Sequence, residues 1–297
     1  MSLTGVYTIY SLTDRERWKM PSYNHLFLYE FIWVAISTHL WREINGPTKL
    51  ICDPKFYDFI KENNLRWFWD DIDSDLLKSL PSDINYKLFW TYPKMFAQFK
   101  QKERFAMVDA DLYTYLKLDE FNQDVIYGHE EVDDLNSTYP KFYSHPNVSH
   151  LFEELNKDLK HNAINTSLIV YNNLEILEKL EGITNQFIRL IPTSIDHISK
   201  DWIYTIYCEQ KVLGNIVKDF NYSHHVLQPI AYDCNKKDYD YYPLGEVGIN
   251  HLWGMKKMLR DDEHKRIHFT KQVVEFLESE YGELYKKLLP YFDKFMK

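Results

Sequence analysis

The hydrophobic residues near the N-terminus alternate between short runs and helical spacing. Val6–Tyr10 is rich in aromatic and β-branched residues, which predicts a first strand. Asn24–Glu43 carries apolar residues at helical spacing, and the Gly-Pro pair that follows is expected to end this helix. Lys49–Cys52 then predicts a second strand and Pro54–Glu62 a short helix. This strand–helix–strand–helix start predicts a parallel sheet with right-handed crossovers.

The middle of the chain predicts two further strands separated by polar sequence. Tyr86–Gln101 has helical spacing and predicts a helix that leads into a buried strand at Phe105–Val108. Asp119–His150 is mixed and polar, so we expect an excursion there, with an edge hairpin at most. Asn165–Tyr171 predicts another strand, with polar residues at its head.

The following segment favours helices. A helix is predicted at Asn173–Leu180 with Gly182 as its cap, and a second, amphipathic one at Trp202–Val217. His224–Ala231 predicts a late strand, and its proline predicts that this strand lies at a sheet edge.

The C-terminal stretch Glu263–Lys297 is amphipathic and predicts two helices broken near Gly282 or Pro290. No convincing linker interrupts the chain. We therefore expect an α/β domain over residues 1–260, with a mostly parallel, Rossmann-like central sheet flanked by helices. Residues 261–297 are expected to form a helical appendage packed on that domain.

Composition and charge narrow the classes of function. The 297 residues are 45% hydrophobic, enough for a sizeable core, and the formal net charge of −9 argues against a nucleic-acid partner. The three cysteines, Cys52, Cys208 and Cys234, are widely spaced, which fits reduced thiols better than a disulfide framework. We find no signal-peptide pattern and no apolar stretch long enough to span a bilayer, so we expect a cytoplasmic protein without a transmembrane segment.

The strongest candidate for chemistry follows the apolar run Phe105–Val108, which ends in Asp109, Ala110 and Asp111. In open α/β sheets, ligands bind at the carboxyl ends of strands. In extended chain, two carboxylates two residues apart point to the same side. Such oxygen ligands suit Mg2+ or Mn2+, which proteins usually hold together with substrate phosphates. The alternative is a strand that simply leaves the core through a solvated turn.

A second pattern lies near the C-terminus, where His251 is followed by Gly254 and Lys257 at intervals of three. A neutral imidazole can complete a metal site begun by carboxylates. Glycine lets the backbone approach a phosphate, and lysine supplies a positive charge to it. The alternative is a surface loop with an ordinary histidine.

Together the two patterns resemble the GT-A fold of nucleotide-sugar glycosyltransferases. The C-terminal pattern is similar to that of the retaining family-8 enzymes, the glycogenin and lipopolysaccharide galactosyltransferase group. The resemblance implies Mn2+ or Mg2+ bound against the diphosphate of a UDP-sugar. The metal ligands that it implies are Asp109, Asp111 and His251. The nucleotide-binding residues that it implies are Tyr10, Ser11, Lys94, Asp109, Ala110, Asp111, Gly254 and Lys257.

The same resemblance gives further residues their expected roles. It implies that the backbone around Tyr10 and Ser11 receives the base, and that Lys94 lies near the nucleoside. It also implies that Asn165 belongs to a segment that lines the sugar pocket.

Glu209 and Gln210 look like the helix start that faces donor sugar and acceptor in that fold. An inverting reaction needs a general base beside the acceptor hydroxyl, and Glu209 is our candidate. In a retaining reaction, Gln210 or Asn165 would flank the anomeric carbon. The sequence leaves both outcomes open.

These features predict a hexosyltransferase of the Asp-x-Asp type. Its expected partners are a UDP-sugar donor and a glycan or lipid-linked acceptor, as in polysaccharide biosynthesis. Peripheral contact with the inner membrane face is left open. One alternative is a GT-A-like protein that binds a nucleotide sugar or a partner without turnover; such a protein has no need of three metal ligands. The other is a sugar-phosphate nucleotidyltransferase, which is disfavoured because no Gly-rich loop follows the first strand.

Overall fold

The computed structural model describes residues 2–11, 27–86, 88–132, 142, 146–155, 159–191, 202–228, 232–233, 248–252 and 255–295. Its strands are β1 (Thr4–Ile9), β2 (Thr48–Cys52), β3 (Asp71–Asp73), β4 (Phe105–Val108), β5 (Leu112–Thr114), β6 (Val125–Tyr127), β7 (Glu130–Val132), β8 (Ala163–Ile164), β9 (Leu168–Tyr171), β10 (His224–Val226), β11 (Tyr232–Asp233) and β12 (Ile249–His251). Its α-helices are α1 (Leu28–Ile44), α2 (Pro54–Glu62), α3 (Tyr92–Phe99), α4 (Glu175–Leu190), α5 (Trp202–Ile206), α6 (Leu213–Asp219), α7 (Met255–Asp261), α8 (Glu263–Glu280) and α9 (Gly282–Phe295). A π-helical segment, Tyr207–Val212, joins α5 to α6.

The central sheet has seven strands in the order β10-β6-β9-β4-β1-β2-β3. The pairs β1–β2, β2–β3 and β10–β6 are parallel, and β6–β9 is antiparallel. This confirms the predicted α/β class with a mostly parallel sheet, and it confirms that the strand beginning at His224 lies at an edge. Two smaller sheets, β11-β7-β8 and β12-β5, complete the strand pairings of the described ranges.

The chain divides into two compact units. The first comprises Met1–Asp73, Val108–Asp119 and Asp238–Lys297, and the second comprises Ser74–Met107 and Glu120–Lys237. The boundary at residue 260, between a transferase domain and a tail, stays a prediction.

Helix α1 organises the first unit, and most of its side chains are buried. Trp41 donates a hydrogen bond from its indole nitrogen to the carbonyl of Leu3 (3.0 Å), which fixes the helix against the start of β1. Helix α8 packs on α1 through the edge-on contact of Phe269 with Tyr29 (5.7 Å between ring centroids), and α9 does so through Tyr291 and Phe31 (5.7 Å). The C-terminal periodicity predicts an apolar stripe, and the buried apolar residues of the two helices are Val273, Leu277, Leu284, Leu288 and Phe292.

The predicted break in the C-terminal helices is confirmed at Gly282, where α9 begins after the single residue Tyr281 that follows α8, while Pro290 lies inside α9. No helix in the described ranges combines the length and the apolar composition that crossing a membrane requires.

Aromatic side chains fill the core of the second unit. Phe142 contacts the ring of Tyr207 (4.7 Å between centroids), and Phe187 stacks on the same ring (5.3 Å). Because Tyr207 begins the π-helical segment, these contacts tie that segment to α4, on which Phe187 lies.

Three details of the predicted elements are wrong. The polar segment Asp119–His150 contains β6, which lies inside the sheet between β9 and β10 rather than at an edge. Helix α4 continues through Gly182 to Leu190, because its buried side chains extend to Ile188 and stabilise it beyond the glycine. The helix predicted over Tyr86–Gln101 covers only Tyr92–Phe99, which places Pro93 in its first turn, where proline is tolerated.

Candidate metal and nucleotide site

The Asp-Ala-Asp segment forms a tight turn between β4 and β5. The N–H of Leu112 donates to the carbonyl of Asp109 (3.0 Å), which closes the turn around Ala110 and Asp111. The two carboxylates therefore reach one place by turn geometry, and not by the strand alternation that the sequence suggested. All four residues of β4 are buried, so the turn starts from a fixed point in the core.

Strand β12 brings the distant histidine to this turn. It pairs antiparallel with β5, with His251 opposite Leu112 and Ile249 opposite Thr114. The pairing continues one residue beyond, where the N–H of Leu252 donates to the carbonyl of Asp111 (3.1 Å). A backbone ribbon thus sets the position of His251 relative to the acidic turn.

Ligand atoms of Asp109, Asp111 and His251 all lie within 4.8 Å of one another. Nε2 of His251 is 3.2 Å from Oδ2 of Asp111, and the two side chains are only 4% and 14% exposed. Lys256 of α7 also forms an ion pair with Oδ2 of Asp111. Burial alone would raise the pKa of Asp111, but the Lys256 ammonium and the His251 imidazole hold this pKa well below its usual range. Asp111 is therefore ionised at neutral pH.

This donor set fits a divalent cation. Two carboxylates and one imidazole combine hard oxygen ligands with a nitrogen ligand that Mn2+ accepts. The spread of 4.8 Å between ligand atoms matches donors placed about 2–2.6 Å from a shared ion. Asp109, Asp111 and His251 are the residues that would hold it, and their role stays a prediction.

The predicted base-binding segment lies at the end of β1. Ser11 is buried and bonds through both its backbone N–H and its hydroxyl to the carboxylate of Asp53. Asp53 caps α2 by accepting from the N–H of Phe56 (3.1 Å). Partial burial, and next the charge of Asp53, raise the pKa of Tyr10. Asp53 thus fixes the backbone at Ser11, next to Tyr10. The resemblance assigns these two residues to the base.

Two predicted positions in the C-terminal pattern are not covered by the structure. Gly254 lies outside the described residues, and of Lys257 only its place in α7 is described. Their assignment to a diphosphate stays a prediction.

The second unit holds a buried polar cluster on the π-helical segment. Glu209, 5% exposed, pairs with Nζ of Lys94 (3.0 Å) and accepts from the hydroxyl of Thr166 (2.8 Å). Lys94 also donates to the carbonyl of Thr166 (2.9 Å). Short π-helical segments such as the one that carries Glu209 are frequent at functional sites, because the extra residue changes the direction of the side chains in one turn.

Asn165 belongs to the same cluster. Its amide nitrogen donates to Oε1 of Glu131 (2.9 Å), and its amide oxygen accepts from the backbone N–H of Ser167 (3.0 Å). Nε2 of His129 lies 4.0 Å from the same oxygen of Glu131. The structure thus brings Lys94, Glu209 and the segment around Asn165 together within the second unit. Gln210 follows Glu209 in the π-helical segment and is half-buried.

Three residues of these clusters were missed by sequence reasoning. Asp53 has a signal, since an Asp-Pro pair that opens a helix directly after a strand marks a capped start. Lys256 stands beside the predicted Lys257 and carries no sequence signal of its own. Glu131 lies in the polar segment Asp119–His150 and carries no local signal.

A family model described as "Family of unknown function (DUF6734)" matches residues 13–291 of the sequence. The chain belongs to this family. A sequence comparison with curated proteins finds no match. Membership of DUF6734 assigns no activity, so the chemistry of the chain must be argued from its residues.

Three solved structures illustrate what this DUF6734 chain resembles. Mouse xyloside xylosyltransferase 1 shares 10% identity over 84% of this chain and 97% of its own, with a TM-score of 0.38. An active-site mutant of LgtC shares 10% identity over 85% of this chain and 88% of its own, at 0.39. A glycosyltransferase involved in the glycosylation of the major capsid of PBCV-1 shares 13% identity over 89% of this chain and 100% of its own, with a TM-score of 0.35. None of these similarities assigns an activity to this chain.

Proposed function

We propose that this chain is a metal-dependent glycosyltransferase of GT-A type that uses a nucleotide sugar, in the first instance a UDP-sugar. The observation that carries the proposal is the convergence of Asp109, Asp111 and His251 within 4.8 Å. A sequence resemblance to nucleotide-sugar transferases picks out the same three residues independently of any coordinates. A solvated turn has no need of a histidine delivered by a separate strand.

The chemistry of the donor set supports the metal part of the proposal. A divalent ion bound there supplies electrostatic stabilisation to the charge that develops on a diphosphate leaving group. Asp109 and Asp111 bring the negative charge that attracts the ion, and His251 adds a nitrogen ligand. Burial of Asp111 and His251 strengthens these electrostatic contacts relative to bulk water.

The resemblance assigns the sugar and the acceptor to Glu209, Gln210 and Asn165, and the proposal keeps these roles. Glu209 is the candidate general base of an inverting reaction, which would take the proton of the acceptor hydroxyl. Asn165 or Gln210 would flank the anomeric carbon in a retaining reaction. Glu131 holds the amide of Asn165 in one orientation (2.9 Å), which favours a fixed hydrogen-bonding role for Asn165. The acceptor is proposed to be a glycan or a lipid-linked hydroxyl.

One observation favours a second candidate, a protein that binds a nucleotide sugar without turning it over. Lys256 already neutralises Asp111 with a charge of its own chain. A site that served only for binding could use this lysine in place of an ion. Binding of UDP without metal, and without hydrolysis of UDP-sugars, would support this candidate.

Calorimetric titration with UDP, in the presence and absence of Mn2+, tests the proposal. We expect metal-dependent binding to the wild type that Asp111→Asn abolishes, because the amide keeps the shape but removes the charged ligand. Asp58→Asn is the matched control, since it removes one exposed carboxylate of α2. UDP-sugars would then be screened for metal-dependent hydrolysis. Absence of binding by UDP, GDP and CDP with metal present would overturn the proposal.

A further inference from the structure

Lys256 reaches into the acidic cluster from the surface. Its side chain is 38% exposed, whereas that of Asp111 is 14% exposed. The ammonium pairs with Oδ2 of Asp111, the same atom that lies 3.2 Å from Nε2 of His251. The backbone of Lys256 is anchored next to the histidine, since its N–H donates to the carbonyl of Leu252 (3.3 Å).

A divalent ion and this ammonium exclude each other at Asp111. An ion held by a carboxylate oxygen stands about 2–2.6 Å from it. An ammonium in ion-pair contact with the same oxygen would then lie within a few ångströms of the ion. Repulsion between like charges at such a distance is large in a site that is mostly closed to water. Binding of the ion through Oδ2 of Asp111 therefore requires the ammonium to leave.

The surroundings allow Lys256 to leave without moving its helix. Arg260, one turn further along α7, donates to Oε1 of Glu30 on α1 (3.0 Å), and both side chains are less than a fifth exposed. This ion pair holds α7 in place. The lysine stem has four rotatable bonds, so its ammonium can swing while the backbone stays fixed.

We propose that Lys256 is a tethered cation that competes with a divalent metal ion for Asp111 and, once displaced, binds the phosphates of a diphosphate ligand. The identity of the ligand rests on the proposed function, whereas the competition at Asp111 does not. Displacement of Lys256 couples the binding of the metal ion to the binding of the diphosphate. Metal binding frees the ammonium to contact the diphosphate, and the diphosphate stabilises the lysine in its displaced position. By linkage, each ligand then raises the affinity for the other by the same factor.

The test is calorimetric titration of Mn2+ into wild type, Lys256→Met and Lys256→Arg, with Lys265→Met as the control. Lys265 is an exposed lysine of α8 that pairs with Asp262. Without nucleotide, we expect Lys256→Met to bind Mn2+ on the order of tenfold more tightly than the wild type, since its competitor is gone. Lys256→Arg keeps the competing charge, so this variant and the control should match the wild type.

A second titration measures UDP at saturating Mn2+. We expect Lys256→Met to bind UDP on the order of tenfold more weakly than the wild type, since it lacks the charge that would contact the phosphates. Thermal unfolding with and without Mn2+ provides an independent measure of metal binding, because a ligand of the folded state raises its stability.

Equal or weaker Mn2+ binding by Lys256→Met overturns the competition, and unchanged UDP binding overturns the transfer to phosphate. Absence of Mn2+ binding in every variant overturns both this inference and the metal-dependent function. Tighter Mn2+ and weaker UDP binding by Lys256→Met, together with no turnover of any UDP-sugar, would support the exchange while the transferase function fails.

Discussion

Nε2 of His251 lies 3.2 Å from Oδ2 of Asp111, and backbone pairing sets this contact. Strand β12 places His251 opposite Leu112, next to the acidic turn. The candidate metal site therefore depends on a two-stranded ribbon as well as on the end of a central strand. Changes to the ribbon should affect metal binding even where they touch no ligand.

Replacement of the histidine itself is the direct test of its role. We expect His251→Ala to weaken Mn2+ binding by about tenfold or more, a loss typical of damage to a metal's ligand environment. Calorimetric titration measures it, and His268→Ala, at an exposed position of α8, is the control. Unchanged Mn2+ affinity in His251→Ala would remove His251 from the ligand set and leave a purely carboxylate site.

Substitution of Gly248 tests whether the ribbon of β5 and β12 affects metal binding. The φ of Gly248, +79°, is a conformation that side chains disfavour, and an added Cβ would lie 3.1 Å from a methyl carbon of Leu116. Gly248→Ala is expected to reduce the free energy of unfolding by about 1–2 kcal/mol. We also expect it to weaken Mn2+ binding, because the carbonyl of Gly248 accepts from the N–H of Tyr115 (2.8 Å) at the end of the ribbon.

The matched control for Gly248 is another glycine. Gly182 lies in the middle of α4, and an added Cβ would meet open space. Gly182→Ala should raise the free energy of unfolding by about 0.5–1 kcal/mol, since alanine restricts the unfolded chain and favours the helix. Urea unfolding of both variants measures the pair. A destabilised Gly182→Ala, or an unaffected Gly248→Ala, would contradict the backbone argument.

Short-range signals made part of the fold predictable. Helix α2 spans Pro54–Glu62 as predicted, because proline suits a first helical turn and Asp53 caps it through Phe56 (3.1 Å). Strand β6 was not predictable, since its three residues are too few to show a period. Only pairing with β9 and β10 turns Val125–Tyr127 into a strand inside the sheet.

The contacts at the candidate site were also predictable only in part from the sequence. The proximity of Asp109, Asp111 and His251 follows from a sequence pattern typical of one fold family. The ion pair of Lys256 with Asp111 does not, because no pattern in the sequence shows which side chain of α7 reaches the acidic turn. Glu131 was missed for a similar reason, since it contacts Asn165 only through the pairing of β7 with β8.

The contacts of Glu130 predict that the free energy of unfolding falls at acid pH. Burial alone would raise the pKa of this carboxyl, but Lys218 (2.9 Å), Asn162 (3.0 Å) and Tyr127 (2.9 Å) lower it below its usual value. The unfolded chain therefore takes up the proton first as the pH falls below about 4.5. The stabilisation from Glu130 is present above that pH and is lost as the pH falls through the lower, native pKa.

Urea unfolding between pH 3 and pH 7 measures this contribution. We expect Glu130→Gln to be less stable than wild type at neutral pH and to lose less stability on acidification. Glu278→Gln, at an exposed position of α8, should follow the wild-type curve. Parallel curves for Glu130→Gln and wild type would contradict a lowered pKa at Glu130.

The ion pair of Lys94 with Glu209 gives the largest expected loss of stability. The side chains of Lys94 and Glu209 are 16% and 5% exposed. Lys94→Met would therefore leave a buried carboxylate that has lost its cation and still accepts a hydrogen bond from the hydroxyl of Thr166 (2.8 Å). Breaking a buried pair by removing one partner costs about 3–5 kcal/mol. The pair of Lys100 with Glu181 is more exposed, at 38% and 29%, so Lys100→Met should cost no more than about 1 kcal/mol.

The double variant Lys94→Met with Glu209→Gln separates charge from packing. Because it removes both charges, we expect it to recover part of the stability lost in Lys94→Met, as measured by urea unfolding. A pair retained for function rather than stability should behave in this way, since neutral replacement of a buried pair is often close to neutral for folding. If the double variant is as unstable as Lys94→Met alone, the loss comes from the lysine stem and its bond to the carbonyl of Thr166, and the charge of Glu209 is not its cause.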